Sequence, residues 1–123
     1  MTPWLLIAAI NGALAVAAGA FGAHALQAQL DAPTLQTFET GARYHMYHAL
    51  AMGLAALAIR GEAATRARIA AALFLAGIVL FSGSLYLLAV ARLRVLGMVT
   101  PFGGLAFLAG WMALGYAALK LGR

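Results

Sequence analysis

Residues 69–91 read IAAALFLAGIVLFSGSLYLLAVA, a run of 23 residues without a charged side chain. A helix needs about 20 mostly apolar residues to cross the hydrocarbon core of a bilayer. The run therefore predicts a transmembrane helix, because a helix at the surface of a small soluble domain would carry a polar face. Its polar side chains are Ser82, Ser84 and Tyr86, and all three lie in the second half of the run.

Three further apolar segments surround this run, at residues 3–26, 41–59 and 101–119. The first and the last contain no charged residue and are long enough to span. The segment 41–59 carries Arg43 near its start, so it needs an explanation. The sequence Asp31-Ala32-Pro33 is typical of a helix start. It predicts a helix from Pro33 to Ile59 that is either continuous or divided at Gly41.

The predicted fold is an all-α membrane protein. It is a four-transmembrane-helix bundle with a short interfacial helical segment before the second span, and residues 1–123 form a single integral membrane domain. The composition agrees, with 65% hydrophobic and 9% charged residues and a mean hydropathy of +0.95. Soluble domains have about 25% charged residues. The composition thus excludes a soluble globule, a disordered chain and a nucleic-acid-binding module, and the absence of cysteine excludes thiolate catalysis and disulfides.

Basic residues between the apolar segments predict the orientation. With four spans, one side of the membrane would carry five basic residues and the other side three. Since cytoplasmic loops are enriched in Lys and Arg, both termini are expected in the cytoplasm. The five are Arg60, Arg66, Arg68, Lys120 and Arg123; the three are Arg43, Arg92 and Arg94.

The four-span arrangement also predicts that polar side chains gather in the leaflet opposite the termini. Such side chains are costly in lipid and usually face the interior of a bundle. The predicted ligand-binding or polar cluster comprises His24, Arg43, Tyr44, His48, Ser82, Tyr86 and Thr100. Asn11, near mid-depth, is expected to make a hydrogen bond between helices.

Three readings of the histidines remain open. His45 and His48 share a helix face, and His24 would supply the third ligand that a metal or haem site requires. Alternatively, the histidines make hydrogen bonds between helices or handle protons. No motif fixes a reaction, so neither a catalytic residue nor a cofactor is predicted.

Five ordered motifs resemble the YgdD-like family of small inner-membrane proteins, which also includes a eukaryotic transmembrane group. The resemblance implies four transmembrane helices in a bacterial inner membrane and no known activity. It does not include His45, where the family can have Gln, and it directs attention to His24 with His48. The motifs are GAFGAH at 19–24, Tyr44 with HAL at 48–50, FSGSLY at 81–86, Thr100-Pro101 with Gly103-Gly104, and FLAGW at 107–111.

Three functions are compatible with these features. The favoured one is a binding or accessory protein whose polar pocket holds a lipid-like or quinone-like ligand or a partner helix. The second is a small transporter or channel, which would have to be oligomeric because four helices enclose little volume. The third is a metal or haem protein that uses His24, His45 and His48. Expected partners are membrane lipids, further copies of the chain or another membrane protein.

Overall fold

The computed structural model describes residues 3–123, and all the regular structure in this range is helical. The all-α prediction is confirmed. There are four helices in these residues: α1 (Trp4–Leu26), α2 (Ala32–Leu57), α3 (Gly61–Val90) and α4 (Thr100–Ala118). A short 3₁₀ helix, Arg94–Met98, precedes α4.

Three of these helices are long and apolar enough to cross a membrane: α1, α3, and α4 together with the 3₁₀ helix before it. Helix α2 has 26 residues, but its first half contains Glu39 and Arg43 among several other polar residues. The segments predicted at 3–26, 69–91 and 101–119 therefore correspond to helices of spanning character. The segment 41–59 lies largely within a longer and more polar helix.

Helix α2 is continuous through Gly41, so the alternative of two helices joined at this glycine is wrong. A Cβ atom at Gly41 would lie 3.1 Å from the ring of Tyr86. The glycine therefore allows α3 to approach closely and does not interrupt α2. Helix α2 begins at Ala32, one residue before the predicted start, and His45 lies in its middle.

Each helix packs on the next one along the chain, α1 on α2, α2 on α3 and α3 on α4. The central core combines small residues with a few large ones, among which Met52 and Phe74 are fully buried. Alanines such as Ala51 and Ala70 belong to the same buried cluster. Small residues let the helix backbones come close, which is how membrane helices gain packing energy.

Glycines form the closest contacts between α3 and α4. The Phe107 ring lies over Gly77, and the Phe74 ring lies over Gly110. At Gly103 the neighbour is backbone: a Cβ atom there would clash with the Phe81 nitrogen. Phe81 belongs to Ile78–Ser82, a π-helical turn within α3. Three contacts between a glycine and a phenylalanine therefore bring α3 and α4 close together along their length.

Candidate functional site

A chain of hydrogen bonds centred on His45 joins three helices. The His45 Nε2 atom lies 3.0 Å from Asn11 Oδ1 on α1, and its Nδ1 atom lies 2.9 Å from the Tyr86 hydroxyl on α3. Asn11 donates its amide N–H to the Ile7 carbonyl at 2.9 Å, which leaves Oδ1 to accept. His45 therefore carries its proton on Nε2, and the Tyr86 hydroxyl donates to Nδ1. Asn11 joins two helices, as predicted.

His48, one turn later, is held by a second set of contacts. Its Nδ1 atom lies 2.7 Å from the Tyr44 carbonyl oxygen, which can only accept. Its Nε2 atom accepts the indole N–H of Trp111 at 3.1 Å. The Phe107 ring stacks on the imidazole, with ring centroids 3.5 Å apart and planes inclined by 5°. His48 is therefore neutral and protonated on Nδ1.

The two histidines thus have opposite tautomers, and each uses both ring nitrogens. A metal ion needs an unprotonated nitrogen with its lone pair available. In His45 and His48 this lone pair already accepts a hydrogen bond, from Tyr86 and Trp111 respectively. For His45 and His48 the structure shows hydrogen bonds between helices, which is one of the three readings of the histidines.

The three histidines considered as metal or haem ligands do not come together in the structure. His24 is exposed, in the π-helical turn that ends α1. It is 13 residues beyond Asn11, or roughly 20 Å along the helix axis, whereas His45 contacts Asn11 directly. Nowhere in residues 3–123 do three His, Asp or Glu side chains come together as a metal site would require. The resemblance directs attention to His24 with His48, but His48 lies three residues beyond His45 and still farther from the contact of Phe38 with Gly22 near the end of α1.

The other predicted site residues occupy different places. Arg43 is exposed and lines a recess of about 240 Å³ with Glu39 and Gly19. Thr100 and Ser84 share a hydrogen bond of 2.6 Å between α4 and α3. Ser82 is fully buried, and its hydroxyl has no hydrogen-bond partner among the described residues. It lies in the π-helical turn of α3, a feature often found at functional sites.

Two open grooves flank the histidines and divide the predicted cluster. The aromatic groove, of about 420 Å³, contains Tyr44 and His48; the His45 groove, of about 450 Å³, contains Tyr86. The aromatic groove is lined by Tyr44, Tyr47, His48, Phe81, Gly104, Phe107, Leu108 and Trp111. The His45 groove is lined by Asn11, Leu14, His45, Ile78, Val79, Gly83, Ser84, Tyr86, Leu87, Leu96 and Val99.

Sequence reasoning did not identify Trp111 as a partner of His48. These residues are 63 positions apart, and nothing in their local patterns relates them. His45 was set aside because the family can have Gln there. The signal that could have identified His45 is Asn11, the one amide in the otherwise apolar first half of α1. A polar side chain at this depth needs a hydrogen-bond partner on another helix.

Comparison with known proteins gives a family for this arrangement. Residues 18–104 match the family described as "Protein of unknown function (DUF423)". The membrane protein YwdK of Bacillus subtilis is 46% identical over 121 residues, 98% of both chains. The inner membrane protein YgdD of Escherichia coli is 41% identical over 119 residues, which cover 97% of this chain and 91% of YgdD. No solved structure matches the chain.

These matches confirm the resemblance to the YgdD-like proteins and the location in a membrane. The family match includes Tyr44, His48 and Tyr86, and the match to YwdK also extends over Trp111. Relatives named as membrane proteins and helices of spanning length agree with each other. This chain therefore belongs to the DUF423 family of membrane proteins, whose function is unknown.

Proposed function

We propose that the chain crosses the membrane four times and binds a membrane-soluble ligand with a flat ring in its aromatic groove. The first part rests on the direction of the helices. Phe38 of α2 contacts Gly22 near the end of α1, while Gly53 of α2 lies near Ala8 at its beginning. Helix α2 is thus antiparallel to α1 over most of its length.

Helix α3 is antiparallel to α2 in the same way, since Gly41 contacts Tyr86 and His48 contacts Phe74. Helices α1 and α3 then point in the same direction. If both span, α1 ends on one side of the membrane and α3 starts on the other, so α2 must cross between them. Its 26 residues would extend about 39 Å, more than the hydrocarbon core.

Labelling of single cysteines tests the crossing of α2. The native chain has no cysteine, so Gln29→Cys and Glu62→Cys each introduce one thiol at an exposed position beyond an end of α2. Each variant is treated with a membrane-impermeant maleimide in right-side-out and in inverted vesicles. We expect one variant to be labelled only in right-side-out vesicles and the other only in inverted vesicles. Equal accessibility from the same side would contradict the fourth crossing.

The aromatic groove carries the proposal of ligand binding. Six of its eight lining residues have aromatic or imidazole rings, and the groove is open at the surface of the bundle. Tyr44 and Tyr47 are 37% and 49% exposed and provide phenolic hydroxyls. Trp111 forms part of the wall and is 44% exposed. A planar carbonyl compound such as a quinone could stack on these rings and accept a hydrogen bond from tyrosine.

Trp111 fluorescence gives a direct test. The chain has two tryptophans, so Trp4→Phe leaves Trp111 as the single emitter. We expect a short-chain benzoquinone to quench this emission saturably in detergent micelles. Gly104→Leu should abolish saturation, because a Cβ atom there has no neighbour within 4 Å and Gly104 lines the groove. The added side chain fills the groove without a clash in the core.

Gly115→Leu is the matched control, because it is on the same helix and its Cβ atom would also have no neighbour within 4 Å. It lies outside the groove and should leave the quenching curve unchanged. Linear quenching that is identical in all variants would refute ring binding. Saturable quenching by a brominated phospholipid but not by the quinone would instead assign the groove to a lipid chain. If a tightly bound second protein prevented quenching by the quinone and by the phospholipid, the groove would bind a partner helix.

A further inference from the structure

A separate recess lies at the end of the bundle where α2 begins and α3 ends. It has a volume of about 170 Å³ and is lined by Pro33, Thr34, Thr37, Leu88, Arg92 and Arg94. It shares no residue with either groove beside the histidines. The two arginines come from the connection between α3 and α4, next to the apolar segment 69–91. If α3 spans the membrane, this end of the bundle lies at the level of the lipid head groups.

The donors that this recess can offer are the guanidinium groups. The Thr34 hydroxyl donates to Asp31 Oδ1 at 2.7 Å, and the Thr37 hydroxyl donates to the Pro33 carbonyl at 3.2 Å. Both hydroxyl protons are thus engaged. An arginine has five N–H donors in a planar arrangement that matches the oxygens of a phosphate. Two such groups on one recess favour a phosphate ligand.

One carboxylate lies near the recess and limits its charge. The hydrogen bond from Thr34 lowers the pKa of Asp31 below its usual value, and Arg92 contributes in the same direction. Asp31 is therefore ionised at neutral pH, and the three side chains together carry one net positive charge. This balance favours a ligand with a net negative charge.

The connection that carries the arginines also has an apolar surface. Leu93, Val95 and Met98 are 47%, 68% and 73% exposed. A segment that alternates arginines with exposed apolar residues lies in the interface, where its apolar side chains contact acyl chains. A free anion would contact only the arginines, whereas a phospholipid would contact the arginines with its phosphate and the apolar side chains with its acyl chains. The exposed apolar side chains therefore favour a phospholipid over a free phosphate ion.

We propose that this recess binds an anionic phospholipid, with the phosphate held between Arg92 and Arg94 and the acyl chains along the apolar side chains of the same connection. The site is independent of the aromatic groove. A basic residue near a membrane surface contributes about fivefold in affinity. Removal of both charges is therefore expected to weaken binding roughly 25-fold by the same rule.

The variants must keep the backbone of the connection. Arg92 has a φ of 58°, the only positive φ of a non-glycine residue in the described part of the chain. Asparagine adopts this left-handed conformation more readily than other residues with side chains. The test variant is accordingly Arg92→Asn with Arg94→Gln, and Arg94→Gln alone serves if the double variant is not monodisperse. Arg68→Gln with Lys120→Gln removes the same charge at the opposite end of the bundle.

Native mass spectrometry of the protein in detergent measures retention of phosphatidylglycerol, phosphatidylethanolamine and phosphatidylcholine with identical acyl chains. We expect phosphatidylglycerol to be retained best, the double variant at Arg92 and Arg94 to lose it, and the control at Arg68 and Lys120 to keep it. Equal retention of all three lipids would overturn the proposal, and so would equal loss in both double variants. Displacement of phosphatidylglycerol by an equal concentration of inorganic phosphate would also overturn it, because a free anion would then be the ligand.

Discussion

Gly103→Ala is expected to destabilise the protein by about 3 kcal/mol or to prevent its folding. The new methyl group would clash with the backbone nitrogen of Phe81 and lie 2.7 Å from its Cα atom. Backbone atoms cannot rotate away as the end of a side chain can, so α4 would have to move off α3. The measurement is the midpoint of thermal aggregation, followed by size-exclusion chromatography in detergent.

Gly104→Ala is the control for this prediction. It adds the same methyl group one residue later in the same helix, at a position with no neighbour within 4 Å. Alanine also has a higher helix propensity than glycine, by about 1 kcal/mol. The expected result is an unchanged or slightly higher midpoint. If the two alanine variants had the same thermal midpoint, the close contact between Gly103 and Phe81 would not exist.

The helices of this fold could be predicted from the sequence because their signals are local. Uncharged runs of spanning length gave α1, α3 and α4, and the Asp31-Ala32-Pro33 start gave the beginning of α2. The role of Gly41 could not be predicted. Whether a glycine ends a helix or admits a neighbour depends on what lies beside it, here the ring of Tyr86.

The candidate site was less predictable because it depends on the relative levels of different helices. The four-span arrangement places His24 and His45 in the same leaflet, because one ends the first span and the other lies early in the second. In the structure the end of α1 lies beside Phe38, which contacts Gly22, whereas His45 contacts Asn11, 13 residues before His24. This separation is about 20 Å along α1, and it depends on how the two helices pack, which the local pattern of neither helix determines.

Among alanine substitutions of the three histidines, His45→Ala is expected to be the most damaging and to lower the free energy of unfolding by about 3 kcal/mol. Interhelical hydrogen bonds in membranes are individually modest, about 0.6 kcal/mol. The larger part comes from the partners left behind, since an unpaired buried polar group costs about 1–3 kcal/mol. His45→Ala leaves Asn11 Oδ1 and the Tyr86 hydroxyl without their shared partner. His24→Ala changes an exposed residue and should leave the thermal midpoint unaltered.

A double-mutant cycle with Tyr86→Phe distinguishes this hydrogen-bond chain from simple loss of volume. The phenylalanine removes only the hydroxyl that donates to His45 Nδ1. In the native background Tyr86→Phe should lower the thermal midpoint, because Nδ1 then has no donor. Combined with His45→Ala it should have no further cost, or should raise the midpoint, because the hydroxyl has already lost its acceptor. Additive losses in the cycle would mean that His45 and Tyr86 stabilise the bundle independently, and that packing of the imidazole between α1 and α3 accounts for the effect.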